Sequence, residues 1–234
     1  RSGNRVFGVF RPQRRTAEYL MGDLMTSANV YQQRPDSGAK AESSLHHARL
    51  SALIGKGRQN PGVTVREKKL LGHLTLRGDA RDPAFSEGVH KALGIELPVA
   101  LSLVAKGETS LQWMGPDEWL LIVPGGEEFS VEQALREALA GQHIAVVNVS
   151  GGQQLLELRG PHVREVLMKS TSYDVHPDNF PVGKAVGTVF AKSQLVIRHT
   201  GEDTWELLIR RSFSDYWWLW LQDAAAQYGL SVEA

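Results

Sequence analysis

The sequence predicts an α+β domain made of two copies of one unit, with mixed or antiparallel sheets and helices packed on them. Three observations carry this. The stretch 113–123, Trp-Met-Gly-Pro-Asp-Glu-Trp-Leu-Leu-Ile-Val, returns at 199–209 as His-Thr-Gly-Glu-Asp-Thr-Trp-Glu-Leu-Leu-Ile, so that Gly115 falls on Gly201, Asp117 on Asp203, Trp119 on Trp205 and Leu121 on Leu207. Leu76-Arg77-Gly78 returns as Leu158-Arg159-Gly160. The helical spacing of Val131, Leu135, Ala138 and Leu139 returns in Phe213, Trp217, Trp220 and Leu221. A solenoid stacks at least three repeats, so two copies point to one duplicated domain with a shared core. Trp119 and Trp205 are expected to hold equivalent buried places.

Residues 1–43 read as an N-terminal extension, extended or mobile, that adds little to the fold, and residues 44–234 as the domain. Arg1, Arg5, Arg11, Arg14 and Arg15 face only Glu18 and Asp23 in residues 1–24. This is a basic tail or targeting segment, or else sequence upstream of a translation start at Met25. Residues 26–43 hold few groups to bury. Leu45, Leu50, Leu53 and Ile54 suggest a short helix ended near Gly55 to Gly57. The first copy, about 63–140, opens on a strand carrying Val63 and Val65 and a second over Leu70 to Leu76. Asp82 and Pro83 stand at N-cap and N1 of a helix bearing Phe85, Val89 and Leu93. Gly115 suits a turn with positive φ, Asp117 local backbone bonding, and Trp119 the start of a covered strand. The helix carrying Val131 to Leu139 stops at Gly141. The second copy, about 144–225, opens on the β-branched run Ile144 to Val149. It continues through Leu155 to Leu158, a helix after Pro161 bearing Val163, Val166 and Leu167, and strands at Val186 to Phe190, Leu195 to Ile197 and Trp205 to Ile209. A tryptophan-rich helix ends it.

Composition sets the bounds. The 234 residues carry 26 Lys+Arg against 26 Asp+Glu. This balance gives no global field toward nucleic acid or an anionic membrane. The absence of cysteine rules out disulfides, thiol catalysis, thiolate clusters and cysteine-linked flavin, and suits a cytoplasmic protein. No apolar run is long enough to span a bilayer.

Catalytic motifs are missing: there is no GxGxxG, Walker loop, GxSxG elbow or HExxH. His46 and His47 are adjacent and diverge on a helix, and the other six histidines are scattered, so no metal site is expected. His199 reads as a turn histidine bonded to backbone. Glu202 and Asp203 read as turn carboxylates that satisfy local N–H groups. On the last helix Phe213, Trp217, Trp220, Leu221 and Ala224 share one face, which should be core. Trp218 falls beside Ser214, Asp215 and Gln222, off that face. It is therefore either a chance surface residue, or one that lies over a neighbouring loop, or a partner anchor, since tryptophan is enriched among interface hot spots.

Thr200-Gly201-Glu202-Asp203 followed by Trp205-Glu206 resembles the Thr-Gly-Glu-Asp-Gly-Phe-Glu motif of the glycine-cleavage T protein, a folate-dependent aminomethyltransferase. Asn148 to Gly160 resembles that superfamily's opening strand, and its folate-binding domains are themselves duplications. Over about 45–225 the resemblance is to the gamma subunits of heterotetrameric sarcosine oxidases, carried by Leu45-His46-His47, Leu76-Arg77-Gly78, Met114 to Leu120 and Asn148-Val149-Ser150.

The resemblance implies an internally duplicated, folate-binding-domain-like fold. It implies a cytoplasmic complex that demethylates sarcosine oxidatively to glycine and hydrogen peroxide and passes the one-carbon unit to tetrahydrofolate. It further implies alpha, beta and delta partner subunits, with FAD, FMN and NAD in the alpha and beta chains and zinc in delta. Ser193 and Gln194 stand where the aminomethyltransferases place an acidic residue before a Leu-Ile-Val-type strand. Arg198-His199 replaces the Gly-Tyr that leads into the turn. No catalytic, cofactor-binding or metal residue therefore carries over, and the expectation is a non-catalytic chain that docks on alpha, with Trp218, His46 and His47 as its partner-interface candidates. The alternative is a stand-alone folate-binding one-carbon protein.

Overall fold

The computed structural model describes residues 41–233; the basic stretch 1–24 and most of the expected extension lie outside the described residues. The elements are strands β1 (Val63–Lys68) and β2 (Gly72–Arg77), helix α1 (Pro83–Leu93), strands β3 (Leu103–Lys106), β4 (Thr109–Gly115) and β5 (Glu118–Val123), and helix α2 (Glu128–Ala138). They continue as β6 (Ala145–Asn148), β7 (Gln153–Arg159), α3 (Val163–Ser170), β8 (Ala185–Phe190), β9 (Ser193–Gly201), β10 (Thr204–Arg210), α4 (Ser214–Ala225) and β11 (Leu230–Glu233). The α+β class holds.

Each copy lends its first strand to the other. The five-stranded antiparallel sheet runs β3-β4-β5-β2-β6 and the six-stranded sheet β11-β1-β7-β10-β9-β8. Thus β6 of the second copy pairs with β2 of the first, Leu76 opposite Val146, and β1 of the first pairs with β7 of the second, Val65 opposite Leu158. A cut between the copies would strip one strand from each sheet. The two sheets also meet directly: Leu103 N–H donates to the Gly183 carbonyl at 2.8 Å and Ala185 N–H to the Leu101 carbonyl at 2.9 Å, around the Ser102–Lys184 bridge. These are the starts of β3 and β8, equivalent strands of the two copies. β11 runs parallel to β1, which makes the six-stranded sheet mixed, and has no counterpart in the first copy.

Helices cover the outer faces. Phe85, Val89 and Leu135 of α1 and α2 pack on Leu74, Leu76, Leu111, Trp119 and Leu121. Val163, Val166, Trp217 and Leu221 of α3 and α4 pack on Leu158, Ile197, Trp205 and Leu207. Between the sheets lies a thinner apolar set that includes Leu120, Ile122, Leu155, Val196 and Leu208. Asp82 caps α1, its carboxylate accepting from Ala84 N–H at 2.9 Å, and Gly94 ends that helix at φ 64°.

The repeated turns are alike in the backbone. Gly78 N–H donates to the Asp117 carbonyl at 3.1 Å, and Gly160 N–H to the Asp203 carbonyl at 3.2 Å. Leu76 stands opposite Trp119 and Leu158 opposite Trp205, and the two indoles are 1% and 2% exposed. A Cβ at Gly78 would lie 2.3 Å from the Phe85 ring, and one at Gly160, where φ is 126°, would lie 2.5 Å from the Gly62 carbonyl. Both glycines are steric requirements. Gly115 and Gly201 differ from expectation: neither has a positive φ. Each sits in the irregular, bulge-like pairing that closes its hairpin, opposite Glu118 and Thr204. The aspartates likewise act through their backbone carbonyls, while the Asp117 carboxylate takes Arg77 at 2.6 Å.

Candidate partner-binding site

Segment 44–57 positions the site. Ser44 Oγ lies 2.7 Å from Ser214 Oγ and also bonds Gln154 Oε1, to which Ser214 donates at 2.7 Å; Gln154 Nε2 in turn donates to Glu67. This buried polar node fixes the start of the segment at the N-terminus of α4. Leu45 and Leu50 then enter the core. The expected single helix is two 3₁₀ turns, His46–Ala48 and Leu50–Leu53, because Arg49 between them is left-handed at φ 48°. Gly55, at φ 72°, turns the chain toward β11. Gly57 packs so closely there that a Cβ would lie 2.8 Å from the Leu230 carbonyl.

The segment, α4 and β11 enclose a groove of about 270 Å³ lined by Leu53, Lys56, Gly57, Trp218, Gln222, Leu230 and Val232. Trp218 is only 7% exposed. Its place off the core face is therefore corrected: it belongs to the core and shows the groove an edge. Phe213 is corrected in the opposite sense, being 43% exposed. It sits in the 3₁₀ turn Arg211–Phe213, out of phase with α4, whose buried positions are Ser214, Trp217, Trp218, Leu221, Ala224 and Ala225. The wheel is rotated because segment 44–57 and β11 cover the Trp218 flank.

The two histidines are exposed. His47 Nε2 contacts Asp215 on the first turn of α4, one turn before Trp218, and His46 Nε2 lies 3.5 Å from Glu42. His47 thus belongs to the same corner as Trp218; His46 points to Glu42 instead.

A second polar set lies between the sheets. Arg198, 2% exposed, donates through Nη2 to Ser110 Oγ at 2.6 Å and sets Nε 3.3 Å from Glu206 Oε2. Lys68 reaches Glu206 at 2.9 Å, and Arg159 reaches Glu157 at 2.8 Å. Burial pulls the Arg198 guanidinium below its usual range, against the pull of Glu206. Nearby His73 is pushed down to about 4, first by desolvation, with Arg198 adding to the effect and the Leu71 backbone and Glu128 opposing it. Arg198, Glu206, Glu157 and Lys68 are thus held in ion pairs, while His73 is buried with neither ring nitrogen hydrogen-bonded. His199 bonds backbone as expected but from inside β9, opposite Trp205, rather than from a turn: Nδ1 is 2.9 Å from the Phe180 carbonyl, Nε2 3.3 Å from the Glu202 carbonyl, and the ring stacks on Trp205 at 3.9 Å. Ser193 and Gln194 stand at the start of β9 and bring no carboxylate there. Among the described residues no group of three His, Cys, Asp or Glu could hold a metal ion, and no helix is long and apolar enough to cross a membrane.

Two sheets with exchanged first strands and outer helices define a duplicated α+β domain. An aminomethyltransferase T from Bartonella henselae superposes with a TM-score of 0.60 at 13% identity, over 82% of this chain and 59% of that one, a likeness of fold alone. Residues 77–227 match the model of the sarcosine oxidase, gamma subunit family. The chain is 37% identical over 184 residues to a sarcosine oxidase subunit gamma of Arthrobacter sp, covering 76% of this chain and 88% of that protein. It is 33% identical over 181 residues to one of Corynebacterium sp. (strain P-1), with the same coverage. A chain of the heterotetrameric sarcosine oxidase from Corynebacterium sp. U-96 superposes with a TM-score of 0.72 at 29% identity, over 80% of this chain and 95% of that one. The chain belongs to the sarcosine oxidase gamma subunit family.

Proposed function

We propose that this chain works as the gamma subunit of a heterotetrameric sarcosine oxidase and contributes docking and assembly rather than chemistry. The family match over 77–227, inside a fold that covers 95% of a chain of such a complex, is the observation that carries this reading. The burial supports it: the chemically able groups Arg198, Glu206, His73 and His199 lie in the interior, where they serve packing and pairing.

The wider reading is a cytoplasmic assembly with alpha, beta and delta subunits. Alpha and beta hold FAD, FMN and NAD, and delta holds zinc. The assembly converts sarcosine to glycine and hydrogen peroxide, with tetrahydrofolate taking the one-carbon unit. This chain docks on alpha through the Trp218 corner with His47, and His46 lies at its margin. Co-expression with the larger subunits tests it: the chain should co-elute with flavin absorbance and sarcosine-dependent peroxide formation. Titration of the isolated chain with tetrahydrofolate tests the other side. Saturable micromolar binding would establish a folate-binding protein in its own right and overturn the docking role.

A further inference from the structure

The groove beside Trp218 has a size and a charge that select its occupant. Pockets for small molecules span about 300–1,000 Å³ and present several convergent polar groups. This one holds about 270 Å³, and among the described residues its lining brings Lys56, Gln222 and the Trp218 indole as polar side chains. That volume suits one large side chain rather than a cofactor.

Charge selects the rest. From Ser43 to Arg66 the chain carries Arg49, Lys56, Arg58 and Arg66 and no Asp or Glu. All four are exposed, and among the described residues none of them has an ion-pair partner. Lys56 stands in the groove wall, and the Arg58 side chain lies along the Gly229 turn that leads into β11. Asp215, at the far side, is already taken by His47. Of the other carboxylates on α4 and β11, Asp223 follows the lining Gln222 and Glu233 stands opposite Arg66 in the β1–β11 pairing. The wall itself carries Lys56 with Arg58 beside it, and cations so placed steer and orient an anionic partner.

We propose that the groove receives an acidic segment of a partner subunit, which seats one large apolar side chain against Trp218 and sets carboxylates against Lys56 and Arg58. The proposal rests on the subunit reading and specifies where and by what chemistry the chain docks. It requires that assembly weaken with salt and that both the charge and the space matter.

The test uses the full chain co-expressed with the larger subunits. One variant reverses the rim, Lys56→Glu with Arg58→Glu, and a second fills the space, Gln222→Trp; all three positions are exposed, so the isolated variants should melt near the unaltered chain. Each variant should bind the larger subunits about tenfold or more weakly, as expected for an interface anchor, and the charge variant should also lose the salt dependence of assembly. Wild-type affinity in either variant overturns the groove proposal and leaves the subunit reading intact. Failure of the unaltered chain to co-purify overturns both.

Discussion

Arg198 Nη2 donates to Ser110 Oγ at 2.6 Å across the layer between the two sheets, so a guanidinium of the second copy is tied to a hydroxyl of the first. The same side chain faces Glu206 at 3.3 Å, and Glu206 also holds Lys68 at 2.9 Å. Removing one member of a buried pair strands the other, which typically costs 3–5 kcal/mol. Lys68 remains to share Glu206, so Arg198→Met should cost about 3 kcal/mol, toward the lower end of that range. Arg198→Met with Glu206→Gln should recover part of it. A double variant no more stable than the single one in denaturant unfolding would show that the cross-sheet bond, not the stranded charge, is what matters.

The indoles of Trp119 and Trp205 do the same job in the two copies. Trp119 packs at 5.5 Å from the Phe85 ring and donates to the Pro98 carbonyl at 3.2 Å; Trp205 has the His199 ring stacked at 3.9 Å and the Arg164 guanidinium over its ring at 4.9 Å. Truncation of either to Ala should cost about 3–5 kcal/mol. Trp205→Ala should be the worse, because it strips a stacked ring and a cation at once. Chemical denaturation of the two variants reads this directly, and a negligible loss at either site would end the equivalence.

His73 gives the domain a pH dependence of known sign. Its imidazole titrates near 4 in the folded chain against an ordinary value of 6.5. Below pH 6.5 the unfolded chain takes the proton more readily, so stability should fall as pH drops from about 6.5 to about 4 and then level off as far as this group is concerned. The full loss is on the order of 3 kcal/mol. His73→Gln should flatten that part of the stability–pH curve. An unchanged slope between pH 6.5 and 4 in the variant would assign the dependence to other groups.

The features legible in the sequence are those written in local period and turn chemistry. Leu158, Trp205 and the Asp82 cap declared themselves because strand alternation and capping act over a few residues. β3, β4 and β11 carry no such signal: β3 and β11 are only four residues long and lack a β-branched run, and β4 buries the polar Ser110 and Gln112 beside Leu111. The exchange of β1 and β6 left no local trace, since β1 is apolar toward its helices whichever sheet receives it. The phase of α4 is hidden for a related reason. A helical wheel sees Trp218 beside Asp215 and Gln222, but not the segment around Leu50 and Leu53 that folds over it. The groove joins residues near 53, 218 and 230. No spacing in the sequence connects them.

The burial of Trp218 changes what its removal should do. An indole anchored only in a partner would leave the isolated chain's stability untouched when truncated. Trp218 is instead packed with Trp217 and Leu221 in the core of the six-stranded sheet. Trp218→Ala should therefore destabilise the isolated chain by about 2–4 kcal/mol, somewhat less than Trp217→Ala, because its groove edge has fewer neighbours to lose. Leu219, on the same helix but 66% exposed, supplies the control. Leu219→Ala should change stability by no more than about 0.5 kcal/mol. Thermal and denaturant unfolding of the three single variants ranks them. If Trp218→Ala proved as mild as Leu219→Ala, the cover that segment 44–57 provides over α4 would not persist in solution, and the groove would lose its floor.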